Sequence, residues 1–274
     1  TNHQTPSYLH LMRCAAQMFE PMELDRLLPS SGHRAEAEGG SRLGCTEVIA
    51  REFLAAGGKH SRPFLTLAAY DALTGGHGTT ADGARHVAKI SDVVKRIALA
   101  IEVFHKASLV HDDVEDDDWF RYNRPTLHRQ HGLAAAINVG DYLVGMGYRL
   151  VASQRDSLGA EATADIVAQF ARAHTQLCEG QGAELAWRDA RDGDITPIEA
   201  LKVYALKTSP AFEAAILAGI RLAGPIEPYR EIVTQFSRHL GVAYQILNDL
   251  EDWQNPAPGR EPGGDALRGR PTVL

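Results

Sequence analysis

The sequence predicts an all-α fold, an antiparallel helical bundle, and three observations predict it. Apolar residues recur with helical rather than alternating period through nearly every long segment. β-Branched runs bounded by turns are scarce. The glycine and proline clusters between the periodic segments are too short to serve as interdomain linkers. With 274 residues, 44% of them hydrophobic and 23% charged, the chain can bury a large core, and no fixed-period repeat divides it. One domain over residues 1–274 is therefore expected.

The elements follow in order. Helices are expected over roughly 8–19, 46–56, 62–74, 86–115, 133–154, 159–188, 197–206, 209–223 and 227–253. The punctuation between them is Ser30–Gly32, Gly57–Gly58, Gly75–Gly83, Arg121–Pro125, Asp192–Pro197, Gly224–Pro225 and Asn255–Pro271. Two of the helices are apolar all round and then end in acid. The stretch Ile97–Val110 leads into Asp112–Asp118, and Leu240–Leu247 leads into Asn248–Asp252. A helix apolar on every side belongs at the centre of a bundle.

Composition narrows the function. Lys+Arg 28 against Asp+Glu 35 leaves a formal charge of −7, and no basic stripe is present to neutralise a nucleic-acid backbone. Nucleic acid is not an expected partner. Cys14, Cys45 and Cys178 are widely spaced, with no zinc or dithiol spacing, so a cytoplasmic location is expected. No apolar run reaches the roughly 18 residues of a membrane span.

The chemistry lies in the acidic ends. Asp112 and Asp116 are four apart and share one helix face, with Asp113 beside them; Asn248 and Asp252 repeat the spacing, with Asp249 adjacent. Carboxylates crowded at an apolar helix end are costly unless cations neutralise them. Oxygen donors without Cys or paired His favour Mg²⁺, which keeps several waters and is completed by substrate phosphates. A diphosphate bridging the two clusters is the natural third party. One such run alone reads as a solvated helix end, but two in one chain favour the metal reading. Glu115, Asp117, Asp118 and Glu251 read as solvated acids. Positive charge stands where a diphosphate needs it: Lys59 and Arg62 open a helix after Gly57–Gly58, Arg121 follows the first cluster, and Lys207–Thr208 marks a helix junction.

These residues resemble a known family. Gly-Gly-Lys-x-x-Arg-Pro at 57–63, Glu102-x-x-His105-x-x-Ser108-Leu109-x-His111-Asp112-Asp113-x-x-Asp116, Gly140-Asp141, Gly180-Gln181, Lys207-Thr208 and Tyr244-Gln245-x-x-Asn248-Asp249-x-x-Asp252 are similar in order and spacing to the trans-isoprenyl diphosphate synthases, or polyprenyl synthetases. The resemblance runs from about residue 50 to the end. It implies the isoprenoid-synthase fold around a central substrate cavity, commonly as a homodimer, with three Mg²⁺ ions bridged by substrate diphosphate. It implies that Asp112, Asp113 and Asp116 hold two ions while Asn248, Asp249 and Asp252 approach the third. By the same carry-over, Arg121, Lys207, Thr208 and Gln245 face the allylic diphosphate, and Lys59, Arg62 and His105 hold isopentenyl diphosphate. The reaction expected is condensation of an allylic prenyl diphosphate with isopentenyl diphosphate. Relatives continue in further helices past the position of Leu274.

Three departures matter. Tyr122 stands where the family has a second arginine for isopentenyl diphosphate, so Tyr122→Arg is expected to strengthen use of that co-substrate. Asn248 replaces the first aspartate of the second motif. Arg270, after Gly269, stands where lysine is usual. These departures keep open a terpene synthase that cyclises a long prenyl diphosphate without isopentenyl diphosphate, and, less favoured, an inactive regulatory subunit. Ala107 and Ser108, one turn before Asp112, leave room for a long hydrocarbon tail and suggest a geranylgeranyl-like or longer product. Phe104, a further turn up, reads equally as a floor to that space or as core.

Overall fold

The structure, a computed structural model, describes residues 8–29, 32–33, 41–189 and 196–254, and these residues are overwhelmingly helical. In chain order the helices are α1 (Leu9–Gln17), α2 (Pro21–Leu27), α3 (Cys45–Ala55), α4 (Ser61–Leu73), α5 (Gly83–Ala88), α6 (Asp92–Glu115), α7 (Leu127–His131), α8 (Leu133–Ala152), α9 (Arg155–Leu158), α10 (Ala160–Asp189), α11 (Pro197–Ala223) and α12 (Arg230–Gln254). A two-stranded antiparallel hairpin, β1 (Phe120–Arg121) and β2 (Arg124–Pro125), follows α6. Among the described residues no helix is long and apolar enough to cross a membrane.

Several boundaries differ from the sequence reading, each for a local reason. The segment expected as one helix over 86–115 is two, because the Ser91 hydroxyl accepts from the Val94 amide and starts α6 afresh. α2 has proline at its first position, a start signal that its seven residues make easy to overlook. The expected break between 206 and 209 is absent: α11 runs on through Pro210. Both sides of that proline are anchored by buried faces, Ala200, Val203 and Tyr204 before it and Ala211, Phe212 and Ala215 after it. Lys207–Thr208 therefore lies inside a helix and not at a junction.

The chain forms two compact units. The first comprises the described residues through Val167 together with Ala218–Pro225; the second comprises Ala168–Leu217 and the described residues from Ile226 onward. At the centre of the first unit α6 is buried on every side from Ile97 through Phe104, as an all-round apolar helix requires. It packs mainly against α8, with α4 on another flank. Two notches on α8 receive two rings of α6. A Cβ on Gly147 would stand 2.7 Å from the Phe104 ring, and one on Gly140 would stand 2.3 Å from His111. The rings are seven residues apart on α6 and the glycines seven apart on α8, so both contacts lie on the facing stripes of an antiparallel pair.

In the second unit α10 and α11 approach closely at Gly180, where a Cβ would stand 2.7 Å from the Lys207 backbone nitrogen. α12 meets α11 the same way, at Gly241 against Ser209. The stretch Leu240–Leu247 is not the fully buried helix expected, since Leu247 is 63% exposed and Leu240, Val242 and Ile246 are half-buried. A mostly apolar stretch of eight residues, interrupted by Gln245, set in a 25-residue helix otherwise rich in Glu, Gln and Arg makes an amphipathic element, not a central one.

Candidate active site

The first acidic end is built from the last turn of α6. Asp113 is 1% exposed. Its Oδ1 accepts from Arg121 Nε at 2.9 Å and Nη2 at 2.5 Å, and Arg121 Nη2 also lies 3.8 Å from Asp112 Oδ2. Burial pushes the Asp113 carboxyl up to about 6, against the opposing pull of Arg121. The buried Asp113 Oδ2 has no hydrogen-bond partner. Asp118, expected in solvent, is instead 5% exposed. The turn into β1 folds it inward, its amide donating to the Asp113 carbonyl and its carbonyl accepting from Thr126 Oγ1.

Hairpin geometry places Arg121. Tyr122 and Asn123 both have positive φ, 52° and 60°, the backbone of a two-residue hairpin turn that reverses the chain. Left-handed backbone is unfavourable for an aromatic residue, so Tyr122 is held there by its contacts. Its ring lies against Gly57, whose added Cβ would stand 3.7 Å from it, and its hydroxyl lies near Gly58.

Gly57 and Gly58 have φ of 120° and 128°, which only glycine adopts easily, and they deliver Lys59 to the start of α4. Lys59 is exposed and Arg62 half-buried. The loop is anchored to α6 by Glu102, 2% exposed, whose Oε1 lies 3.7 Å from His60 Nδ1; the His60 ring stacks on Phe19 at 4.1 Å. Burial pushes Glu102 upward, but His60, His105 and Arg62 together outweigh it and hold the carboxyl at about 2. Burial and the Arg62 guanidinium hold His105 at about 3, so its imidazole is neutral. Lys106, one residue on, is fully buried. Its ammonium donates to the carbonyls of Gly57 and of Phe53, the latter at 3.5 Å, and lies 4.0 Å from the Tyr122 ring centroid.

Upstream on α6, Phe104 is 9% exposed and meets Tyr148 edge-on at 4.8 Å, beside the Gly147 notch. That is ordinary interhelix contact. Ala107 is 1% exposed, and Ser108, half-buried, donates to the His105 carbonyl. His111 Nε2 reaches 3.5 Å from Asp141 Oδ1, which gives the Gly140-Asp141 pair its structural sense: the glycine admits the ring and the aspartate orients it.

The second acidic end belongs to the second unit. The Tyr204 hydroxyl, on a side chain only 3% exposed, donates to Asp249 Oδ2. Asn248 Nδ2 donates to Gln245 Oε1 at 3.2 Å. Lys207 Nζ donates to Glu184 Oε2 at 2.9 Å, and Thr208 is 5% exposed. Asp252 closes the motif in sequence, but its side chain lies outside the described residues, as do Gly269 and Arg270.

Among the described residues no three acidic, histidine or cysteine side chains form a ready-made metal cage. Mg²⁺ does not require one, since it binds through one or two carboxylates and completes its shell with water and phosphate. The unpartnered, buried Asp113 Oδ2 fits that use. Sequence reasoning missed Lys106, Tyr204 and Glu184. Lys106 had a signal, a lone cation inside an apolar helix; Tyr204 and Glu184 had none short of the helix crossing that brings them to their partners.

The helical architecture and its two acid-ended helices define an all-α protein of the isoprenoid-synthase fold. The geranylgeranyl pyrophosphate synthetase structure from Pyrococcus horikoshii is similar with a TM-score of 0.75 and 28% identity, covering 97% of this chain and 73% of that one. The chain belongs to the polyprenyl synthetase family, which it matches over residues 45–274. Among relatives, geranylfarnesyl diphosphate synthase of Natronomonas pharaonis is 30% identical, over 82% of this chain and 66% of that protein. All-trans-nonaprenyl-diphosphate synthase (geranyl-diphosphate specific) of Rhodobacter capsulatus is 30% identical, over 85% and 65%. The chain thus spans just under two thirds of the length of these curated relatives.

Proposed function

We propose that the protein is a Mg²⁺-dependent trans-prenyltransferase that joins an allylic prenyl diphosphate to isopentenyl diphosphate. The observation that carries this reading is a cluster in the first unit, in which the Gly57–His60 loop, Arg121 and Asp112–Asp113 are tied together through Glu102 and the hairpin. The relatives' own names, prenyl diphosphate synthases of several chain lengths, support it.

In this reading Asp112, Asp113 and Asp116 hold two Mg²⁺ ions, and Asn248, Asp249 and Asp252 hold a third. The ions, when bound, neutralise the diphosphate and stabilise it as a leaving group. Arg121, Lys207, Thr208 and Gln245 orient the allylic diphosphate so that its C–O bond breaks with the electron pair leaving on oxygen. Lys59 and Arg62 supply charge to isopentenyl diphosphate, and neutral His105 supplies a hydrogen bond. The isopentenyl double bond then forms the new C–C bond. Loss of a proton from the adjacent carbon to the departed diphosphate restores a double bond and balances the charge. The small Ala107 and Ser108 above Asp112 support a geranylgeranyl-length or longer product, and the protein is read as a homodimer.

Tyr122 in place of a cation favours one second reading, cyclisation without isopentenyl diphosphate. Incubation with Mg²⁺ and geranylgeranyl diphosphate, with and without isopentenyl diphosphate, followed by product mass analysis, separates the two. Longer diphosphates formed only with the co-substrate are expected. A hydrocarbon formed without it means a cyclase, and inertness in both favours a regulatory subunit.

A further inference from the structure

Lys106 is the most unusual side chain in the first unit. It is fully buried, and among the described residues no carboxylate lies within ion-pair distance of its Nζ. A buried cation without a counter-ion is costly unless its donors are satisfied. Its partners are two carbonyls at the end of α3, those of Phe53 and Gly57, and the faces of two rings, Tyr122 at 4.0 Å and Phe53 at 5.3 Å. A cation suits the carbonyl end of a helix and the face of an aromatic ring. The Tyr122 ring in turn covers Gly57 and Gly58.

We propose that Lys106 is a positioning residue that fixes the Gly57–Lys59 loop and Tyr122 as one unit, and so sets where the cations of that loop meet a diphosphate. Two glycines in succession give the loop backbone wide conformational freedom, and the Glu102–His60 contact holds only its far side. The ammonium ties it to α6 from beneath, and the ring closes it from the side. Tyr122 is then the second half of a cation–ring pair and not simply a missing arginine. This changes the expectation for Tyr122→Arg. A guanidinium introduced at the residue whose ring centroid lies 4.0 Å from a buried ammonium would repel that ammonium, so the variant is expected to weaken isopentenyl diphosphate binding unless Lys106 is also neutralised.

The loop-fixing part stands on geometry alone; its effect on substrate rests on the reading of Lys59 and Arg62 given above. The test uses the full chain and the variants Lys106→Met, Tyr122→Leu, the double variant and Tyr122→Phe. Hydrogen exchange over residues 56–61, followed by mass spectrometry, reads the loop without reference to activity. Exchange there is expected to accelerate about tenfold in Lys106→Met and in Tyr122→Leu, and no further in the double variant, because the pair acts as one. Tyr122→Phe, which keeps the ring face, is expected to exchange as wild type, and α8 is expected to keep its protection throughout. Calorimetry with isopentenyl diphosphate is expected to show about tenfold weaker binding in either disruptive single variant. In turnover the loss is expected in KM for that co-substrate and not in kcat at saturation. Unchanged loop exchange in both single variants, or single effects that multiply in the double, would overturn the proposal. If Lys106→Met does not fold, Tyr122→Leu against Tyr122→Phe decides it. If the wild type binds no isopentenyl diphosphate, the substrate reading fails while the exchange result still decides the role of Lys106.

Discussion

The two acidic helix ends carry nearly the same motif and are held by different contacts. At the end of α6 the carboxylates meet a cation: Arg121 holds Asp113 by two hydrogen bonds and approaches Asp112. At the end of α12 a phenol donates to Asp249 and an amide joins Asn248 to Gln245. The first arrangement places a charge that is part of the fold beside the carboxylates. In the second a phenol and an amide fix direction. Identical spacing in sequence thus says which groups are presented but not how their charge is balanced.

The largest effects should come from removing the carboxylates themselves. Asp112→Ala and Asp249→Ala are each expected to lower turnover by about 10³-fold or more while leaving the thermal transition in place, as circular dichroism would show. Retained activity in one of them would leave only the other end as a working site. The next contrast is between the supports. Arg121→Gln leaves Asp113 buried without its cation and is expected to cost about 10²-fold in kcat/KM. Tyr204→Phe removes a neutral donor and should raise the Mg²⁺ concentration at half-maximal rate by only a few-fold. Equal losses in the two variants would erase the comparison.

The smallest effect is on stability against acid. Glu102 is held at about 2 in the folded protein against about 4.5 unfolded. Its contribution is therefore complete above pH 4.5 and is lost as pH falls toward 2, because the unfolded chain takes up the proton first. Urea unfolding across that window should show a shallower pH dependence in Glu102→Gln than in wild type.

Much of this was legible in the sequence because it rests on spacing. The periodicity of Ile97–Val110 gave a buried helix, the four-residue interval gave two carboxylates on one face, and the glycine pair gave a loop before α4. What was not legible depends on partners far apart in the chain. Phe104 could line a cavity or fill a core, and only Gly147, on another helix, decides that it meets α8. Leu240–Leu247 is apolar by composition, yet a short apolar run does not say whether neighbours surround it. The continuity of α11 through Pro210 likewise follows from buried faces on both sides, which outweigh the local preference to stop.

The paired notches on α8 have a consequence for which parts of the first unit can change in evolution. A one-residue slide of α6 along α8 would carry both rings off the glycines and against positions that bear a Cβ, so the acidic tip is pinned axially like a key against its wards. Variation around that tip must then come from swapping the bulk of individual side chains, with the rod itself staying where it is.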